Sequence, residues 1–368
     1  MFRYASHLAH GVDAETAVNQ AADQVETALE GIEPTLVVVL ASDHFRDEAD
    51  AVRRTVIDRF PKADVAGAVI PGGVIGVGEE TEQEAAISLW AGVLPPDQIE
   101  VIELEDANDL PAGAGVVVVF ADPFTTPTER FLETADVRGI SLVGGFTGGS
   151  SPGAARLITS ERILTDGAIG IRIDVPGVAT IVSQGARPIG GDLVVTAAEG
   201  NVVLELASKP AVEQLHAVLG ALDPEDLHLA RVGLMAGIVI DENRPDYDVG
   251  DFLVRGLLGI EAESGGLAIA AEPRVGQTFR FHVRDGAGAD ADLRRVIGLA
   301  DPNVGAALIF ACTGRGRRMF EQQHHDAGVI AELLNVPLAG GFCQGELGPI
   351  AGANHVHAFT ATMVTFPL

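Results

Sequence analysis

Two short segments concentrate the side chains able to do chemistry. Residues 312–318, CTGRGRR, place a thiol (Cys312), a hydroxyl and three guanidinium groups, among them Arg315 and Arg317, in one loop. Residues 340–346, GGFCQGE, run through Gly340, Gly341, Phe342, Cys343, Gln344 and Gly345 to the carboxylate of Glu346. Each follows an apolar run that reads as a buried strand. If a crossover makes those strands parallel, both loops share the C-terminal edge of one sheet, where α/β proteins commonly bind ligands. A carboxylate beside a guanidinium suits a zwitterion such as an amino acid, its ammonium facing Glu346 and its carboxylate an arginine. The alternative is that Glu346 and the arginines pair with one another.

Other constellations allow other chemistry. Cys343 with His355 or His357, oriented by Asn354, would make a cysteine-dependent hydrolase or transferase, provided that nearby Arg315 lowers the thiol pKa. A buried structural cysteine is the commoner outcome, so the chain is read as a non-enzyme. His324, His325 and Asp326 are adjacent and lack the one-face spacing of a metal pair, so capping by Asp326 and solvated histidines explain them and no metal is expected. Asn243, Arg244, Asp246 and Asp248 follow a strand. They form either a turn built on Asx chemistry or part of the same pocket.

The elements that must position these groups repeat. TLVVVLAS (35–42), GVVVVFA (115–121) and GAALIFAC (305–312) read as buried strands, each followed by a loop, a helix and a second strand ending in glycines. The glycine phrases are VAGAVIPGGVIG (65–76), LVGGFTGGSSPG (142–153) and LAGGFCQGELGP (338–349), at similar distances from their first strands (41 to 67, 121 to 144, 311 to 340). A further strand, IGIRI (169–173) or HVHAFTATMVTF (355–366), is expected to return antiparallel. The pattern predicts an α/β fold: two domains of mixed β-sheets flanked by helices, built from repeated strand–helix–strand–strand units in a layered αββα arrangement. The glycines read first as architecture, allowing tight bends and close backbone approach, and second as ligand contacts.

The 368 residues suffice for two domains, and 47% of them are hydrophobic. The net charge is −28, which disfavours nucleic acid and anionic membrane surfaces as partners. Two cysteines make no disulfide framework. No apolar run reaches the roughly 20 residues of a membrane helix, and the N-terminus lacks the features of a signal peptide. These features predict a cytoplasmic protein. Helical spacing over 7–30 predicts an N-terminal helix in residues 1–30, followed by domains at 31–210 and 211–368.

The chain resembles the FIST family, named for F-box and intracellular signal transduction proteins. The segments that carry the likeness are QGARPIG (184–190), AEGNVVLEL (198–206), DENR (241–244), GDFLVRGLLGI (250–260), RVGQTFRFHVRD (274–285), CTGRGRRMF (312–320), GGFCQGELGP (340–349) and NHVHAFT (354–360). The family's commoner cysteine loop reads Cys-Asn-Gly-Glu, where this chain has Gln344, and Ala358 stands where glycine is usual. The resemblance implies a sensory module with N- and C-terminal FIST domains. It implies a small polar ligand, an amino acid or similar zwitterion, bound without a cofactor. A stand-alone chain of this kind would carry no output domain and would signal through a partner protein. The rival expectation is a protein-interaction scaffold with no small ligand.

Overall fold

Parallel pairing of neighbouring strands organises the protein, seen in a computed structural model that describes residues 2–113, 115–149, 151–247 and 250–368. Three central strands, Leu36–Ser42, Val116–Ala121 and Val304–Cys312, are each followed by a crossover helix, Ala49–Arg59, Thr128–Arg138 and His325–Leu333. Each helix leads into a glycine-bearing strand, Asp64–Ile70, Ser141–Phe146 and Leu338–Cys343, which lies parallel to its central strand. Return strands Ala86–Val93, Ala168–Ile173 and Thr360–Pro367 run antiparallel on the other side. A leading strand, Arg3–His10, Ile99–Leu104 or Ala179–Gln184, flanks each return strand.

The glycines hold the same register place in all three sheets: Gly67 faces Val39, Gly144 faces Val119 and Gly340 faces Ile309. A β-carbon on Gly67, Gly144 or Gly340 would fall 1.8, 2.0 or 2.1 Å from the carbonyl oxygen of that partner. No side chain fits there, which gives the glycine phrases an architectural cause. After its glycine strand, each unit sends a short extension strand to a different unit. Val74–Gly76 pairs with the third glycine strand, Glu346–Ile350 with the second, and Leu157–Thr159 with the first. The exchange closes a ring of three.

Both faces of the central strands are buried, as expected of near-continuous apolar runs. The inner-face residues Leu36, Val38 and Leu40, with Val118, Phe120, Leu308 and Phe310, share one central core. Outer-face residues pack under the helices: Val37 and Val39 against Val18 and Val52, Val117 and Val119 against Phe131, and Ala307 and Ile309 against Ile330.

By packing, the chain forms two compact units. The larger holds residues 1–182, 293–356 and 360–368, and the smaller holds 183–292 and 357–359. The smaller unit interrupts the third repeat between its leading and central strands. It is a closed antiparallel barrel of Ala186–Glu199, Thr278–Arg284, Leu234–Val239, Phe252–Ile260, Leu267–Ile269 and Val202–Leu206, with the last strand pairing back to the first. Its interior holds Phe279, Phe281, Ile238 and Leu267. The N-terminal expectation of one helix over residues 1–30 needs correction. Residues 1–30 are not one helix: Arg3–His10 is a strand paired with Ala86–Val93, and the helix is Ala14–Ala28, capped by Asp13. The short alternation of RYASHLAH was masked by the stronger three- and four-residue spacing after it.

Candidate functional site

The two loops singled out in the sequence meet. Cys312 and Cys343 are register partners at the ends of their parallel strands, and the Thr313 N–H donates to the Cys343 carbonyl at 2.8 Å. The chemistry is divided by depth. Arg315 and Glu346 are both fully buried, whereas Arg317, Arg318 and Gln344 are exposed.

Arg315 does not await a ligand. Its guanidinium forms a two-pronged pair with Asp326, Nε to Oδ2 at 2.7 Å and Nη2 to Oδ1 at 2.8 Å. Burial alone would raise the Asp326 carboxyl, but the Arg315 guanidinium and the hydrogen bonds from Arg315 and His325 bring it down to about 2. His325 Nδ1 lies 2.9 Å from Asp326 Oδ1, and its ring stacks on Phe320 with centroids 3.5 Å apart. Asp326 therefore serves an ion pair and not the helix cap expected of it. The acid at that helix start is Glu80, whose Oε1 accepts the Ala327 N–H at 2.9 Å. Burial first, and the Asp326 charge second, push the Glu80 carboxyl up to about 7.

Glu346 sits opposite Gly145 on the second glycine strand. Its oxygens make no hydrogen bond of full geometry; the nearest polar groups are the Thr360 N–H, the Cys312 thiol and Arg315. Burial lifts its carboxyl well above the usual carboxylate range. Cys343 is likewise buried, and desolvation followed by the Glu346 charge pushes its thiol well above the ordinary value. Arg315 thus does not activate it. Gly145 explains the tightness: a β-carbon there would meet Cys343 Cβ and Sγ at 2.7 Å.

The remaining expected residues scatter. Gly340, Gly341 and Phe342 belong to the strand, Phe342 in the core under the third helix. The Gly345 carbonyl accepts the Phe146 N–H at 2.9 Å. Asn354 holds the second repeat together: its Oδ1 accepts the Leu142 N–H at 2.7 Å, and its Nδ2 donates to Asp136 and to the Ile140 carbonyl. His355 is half-buried on the strand Ala353–His357. Asn243 and Arg244 belong to the smaller unit, on an exposed turn where Asn243 donates to Asp241 and Arg244 pairs with Asp251. That turn matches the Asx alternative; Asp248 lies outside the described residues.

What lies open at the rim is a depression of about 580 Å³, lined by Thr313, Arg317, Arg318 and Gln344 on one side and Pro71, Gly72, Glu82 and Gln83 on the other. The Arg317 N–H donates to Glu82 Oε1 at 2.8 Å, and its side chain reaches Gln83 at 3.3 Å. Arg318 has no side-chain partner among the described residues. The arginines stand out in the sequence and Glu82 and Gln83 do not, although the acidic run GEETEQE (78–84) begins two residues after the first glycine phrase ends. Its pairing with the third repeat depends on the strand exchange, which no local pattern reveals.

Comparisons with known proteins give relatives along nearly the whole chain and one family. An uncharacterized protein of Mycobacterium bovis is 36% identical, covering 96% of both chains, and one of Mycobacterium tuberculosis is 37% identical, covering 96% of this chain and 97% of its own. Among solved structures, cyanuric acid hydrolase from A. caulinodans aligns over 99% of both chains at 10% identity with a TM-score of 0.28, too faint to bear on fold or activity. The FIST N domain matches residues 35–209 and the FIST C domain residues 211–349, domains generally of sensory and signal-transduction proteins. With its glycine frame and its arginine-bearing rim both inside those matches, the chain belongs to the FIST family.

Proposed function

We propose that the rim depression binds a small polar molecule carrying both charges, of which an amino acid is the simplest example, and that this binding is the sensory event. The supporting observation is Arg318. The net charge is −28, and every other arginine of the larger unit takes part in an interaction, yet Arg318 faces the depression with no side-chain partner among the described residues. Its guanidinium would take the ligand's anionic group, as a planar donor fork suits a carboxylate. Glu82 stands across the hollow for the cationic group; a carboxylate can accept further hydrogen bonds beside the one from Arg317. The buried pair Arg315–Asp326 holds the arginine-bearing loop from below, and Glu346 is not a contact. The reading is binding and not catalysis because the Cys343 thiol, desolvated and flanked by Glu346, is a weak nucleophile.

A thermal-shift screen of amino acids and related zwitterions tests this. A true ligand at a hundredfold excess over Kd adds about 2.7 kcal/mol and should raise the melting temperature by several degrees. No response across the panel would refute the proposal.

A further inference from the structure

The chain's only two cysteines, in 368 residues, are register partners on adjacent strands. Neighbouring strands lie about 4.8 Å apart, within the window of roughly 4.4–6.8 Å between α-carbons that a disulfide spans. Both side chains point to the inner face: Cys343 is part of the central core, and Cys312 falls two residues after Phe310 of that core. The equivalent places in the other repeats, by the register of the three glycines, hold Ser42 with Ile70 and Asp122 with Thr147. Only the third repeat brings two thiols together.

The two thiols differ in access. Cys312 keeps 8% of its surface and immediately precedes Thr313, which lines the depression; Cys343 keeps none. The Gly314 N–H donates to Cys312 Sγ at 3.4 Å, and the Arg315 guanidinium lies within electrostatic reach of it. The Glu346 carboxyl lies beside both thiols and so does not tell them apart; access from the depression does.

We infer that Cys312 and Cys343 form a reversible disulfide when a hydroperoxide reaches the rim, Cys312 reacting first and Cys343 resolving. The Cys312 thiolate attacks one oxygen of hydrogen peroxide and the O–O bond breaks; hydroxide leaves, taking up the thiol proton as water, and Cys312 becomes a sulfenic acid. Cys343 sulfur then attacks Cys312 Sγ; its proton goes to the departing hydroxyl, which leaves as a second water. Two thiols and one peroxide give one disulfide and two waters, sulfur being oxidised and peroxide reduced. A thiol reductant restores the pair. The cross-link would tie the turn at Gln344 to the loop at Thr313, and it forms whether or not the depression takes a ligand.

The test uses the full chain and hydrogen peroxide, followed by denaturation, alkylation and peptide mapping by mass spectrometry. The wild type should lose the mass of two hydrogens, yield a cross-linked peptide holding both cysteines, and recover with dithiothreitol. Cys343→Ser should stop at a Cys312 sulfenic acid that a dimedone probe traps. Cys312→Ser should slow the oxidation of the remaining thiol roughly tenfold or more. Overturning results would be both thiols staying alkylatable in the wild type, a disulfide between chains, over-oxidation of Cys312 without the cross-link, or Cys343 oxidising as fast without Cys312.

Discussion

The second and third repeats share a backbone frame and differ in what they hang on it. Gly144 and Gly340 occupy the same register, facing Val119 and Ile309, and both would collide with a carbonyl if given a side chain. Three residues further on, the second repeat has Asp122 and Thr147 where the third has Cys312 and Cys343. On the extension strands, Leu157 and Val74 point into the central core, while the equivalent residue from the third repeat is Glu346. The loop after the third central strand also carries Arg315, Arg317 and Arg318, for which the second has Thr125 and Thr126 hydrogen-bonded to Asp122 and the Gly167 carbonyl. The frame is thus common property of three units, and the arginine loop belongs to one.

The largest expected break of that contrast comes from the buried pair. Arg315→Ala leaves Asp326 charged in the interior with only His325 beside it and should cost about 3–5 kcal/mol, read as a lower midpoint in urea unfolding. Gly340→Ala and Gly144→Ala should each cost about 3 kcal/mol, and equally so if the frame is shared; a harmless substitution at either would separate the repeats. Next comes pH. Glu80 has a native pKa of about 7 against an ordinary 4.5, so its contribution is full below 4.5 and is lost as pH rises through 7. Asp326 goes the other way: held at about 2 against 3.8, it stabilises above 3.8 and loses this as pH falls through 2. Stability should therefore decline from pH 5 to 8, and Glu80→Gln should flatten that slope in denaturant titrations. The smallest effect is a gain. Glu346→Leu makes the third extension strand match Leu157 of the second and removes a desolvated acid, stabilising by about 1 kcal/mol.

Much of the frame was legible because strand–helix–strand order and glycine position are local signals. The gaps from strand end to glycine led to Gly67, Gly144 and Gly340, which the register places alike. The barrel's strands were readable one by one, but their insertion within a repeat was not, since the leading strand Ala179–Gln184 finds its partner Thr360–Pro367 far along the chain. At the site, the meeting of the two loops followed from parallel pairing. Burial did not: nothing in CTGRGRR distinguishes Arg315, enclosed by Asp326 and Phe320, from Arg318 three residues later. Asp326 lay in a histidine-flanked triplet that read as a cap, and Glu82 sat in another repeat.

Isothermal titration of the zwitterion that gives the largest thermal shift, into the wild type and Arg318→Ala, decides whether the rim arginine holds the ligand. One site per chain is expected in the wild type, with at least about a tenfold loss (about 1.4 kcal/mol) in Arg318→Ala and an unliganded melting temperature that the substitution leaves unchanged. Equal affinity in the two proteins would overturn that role for Arg318.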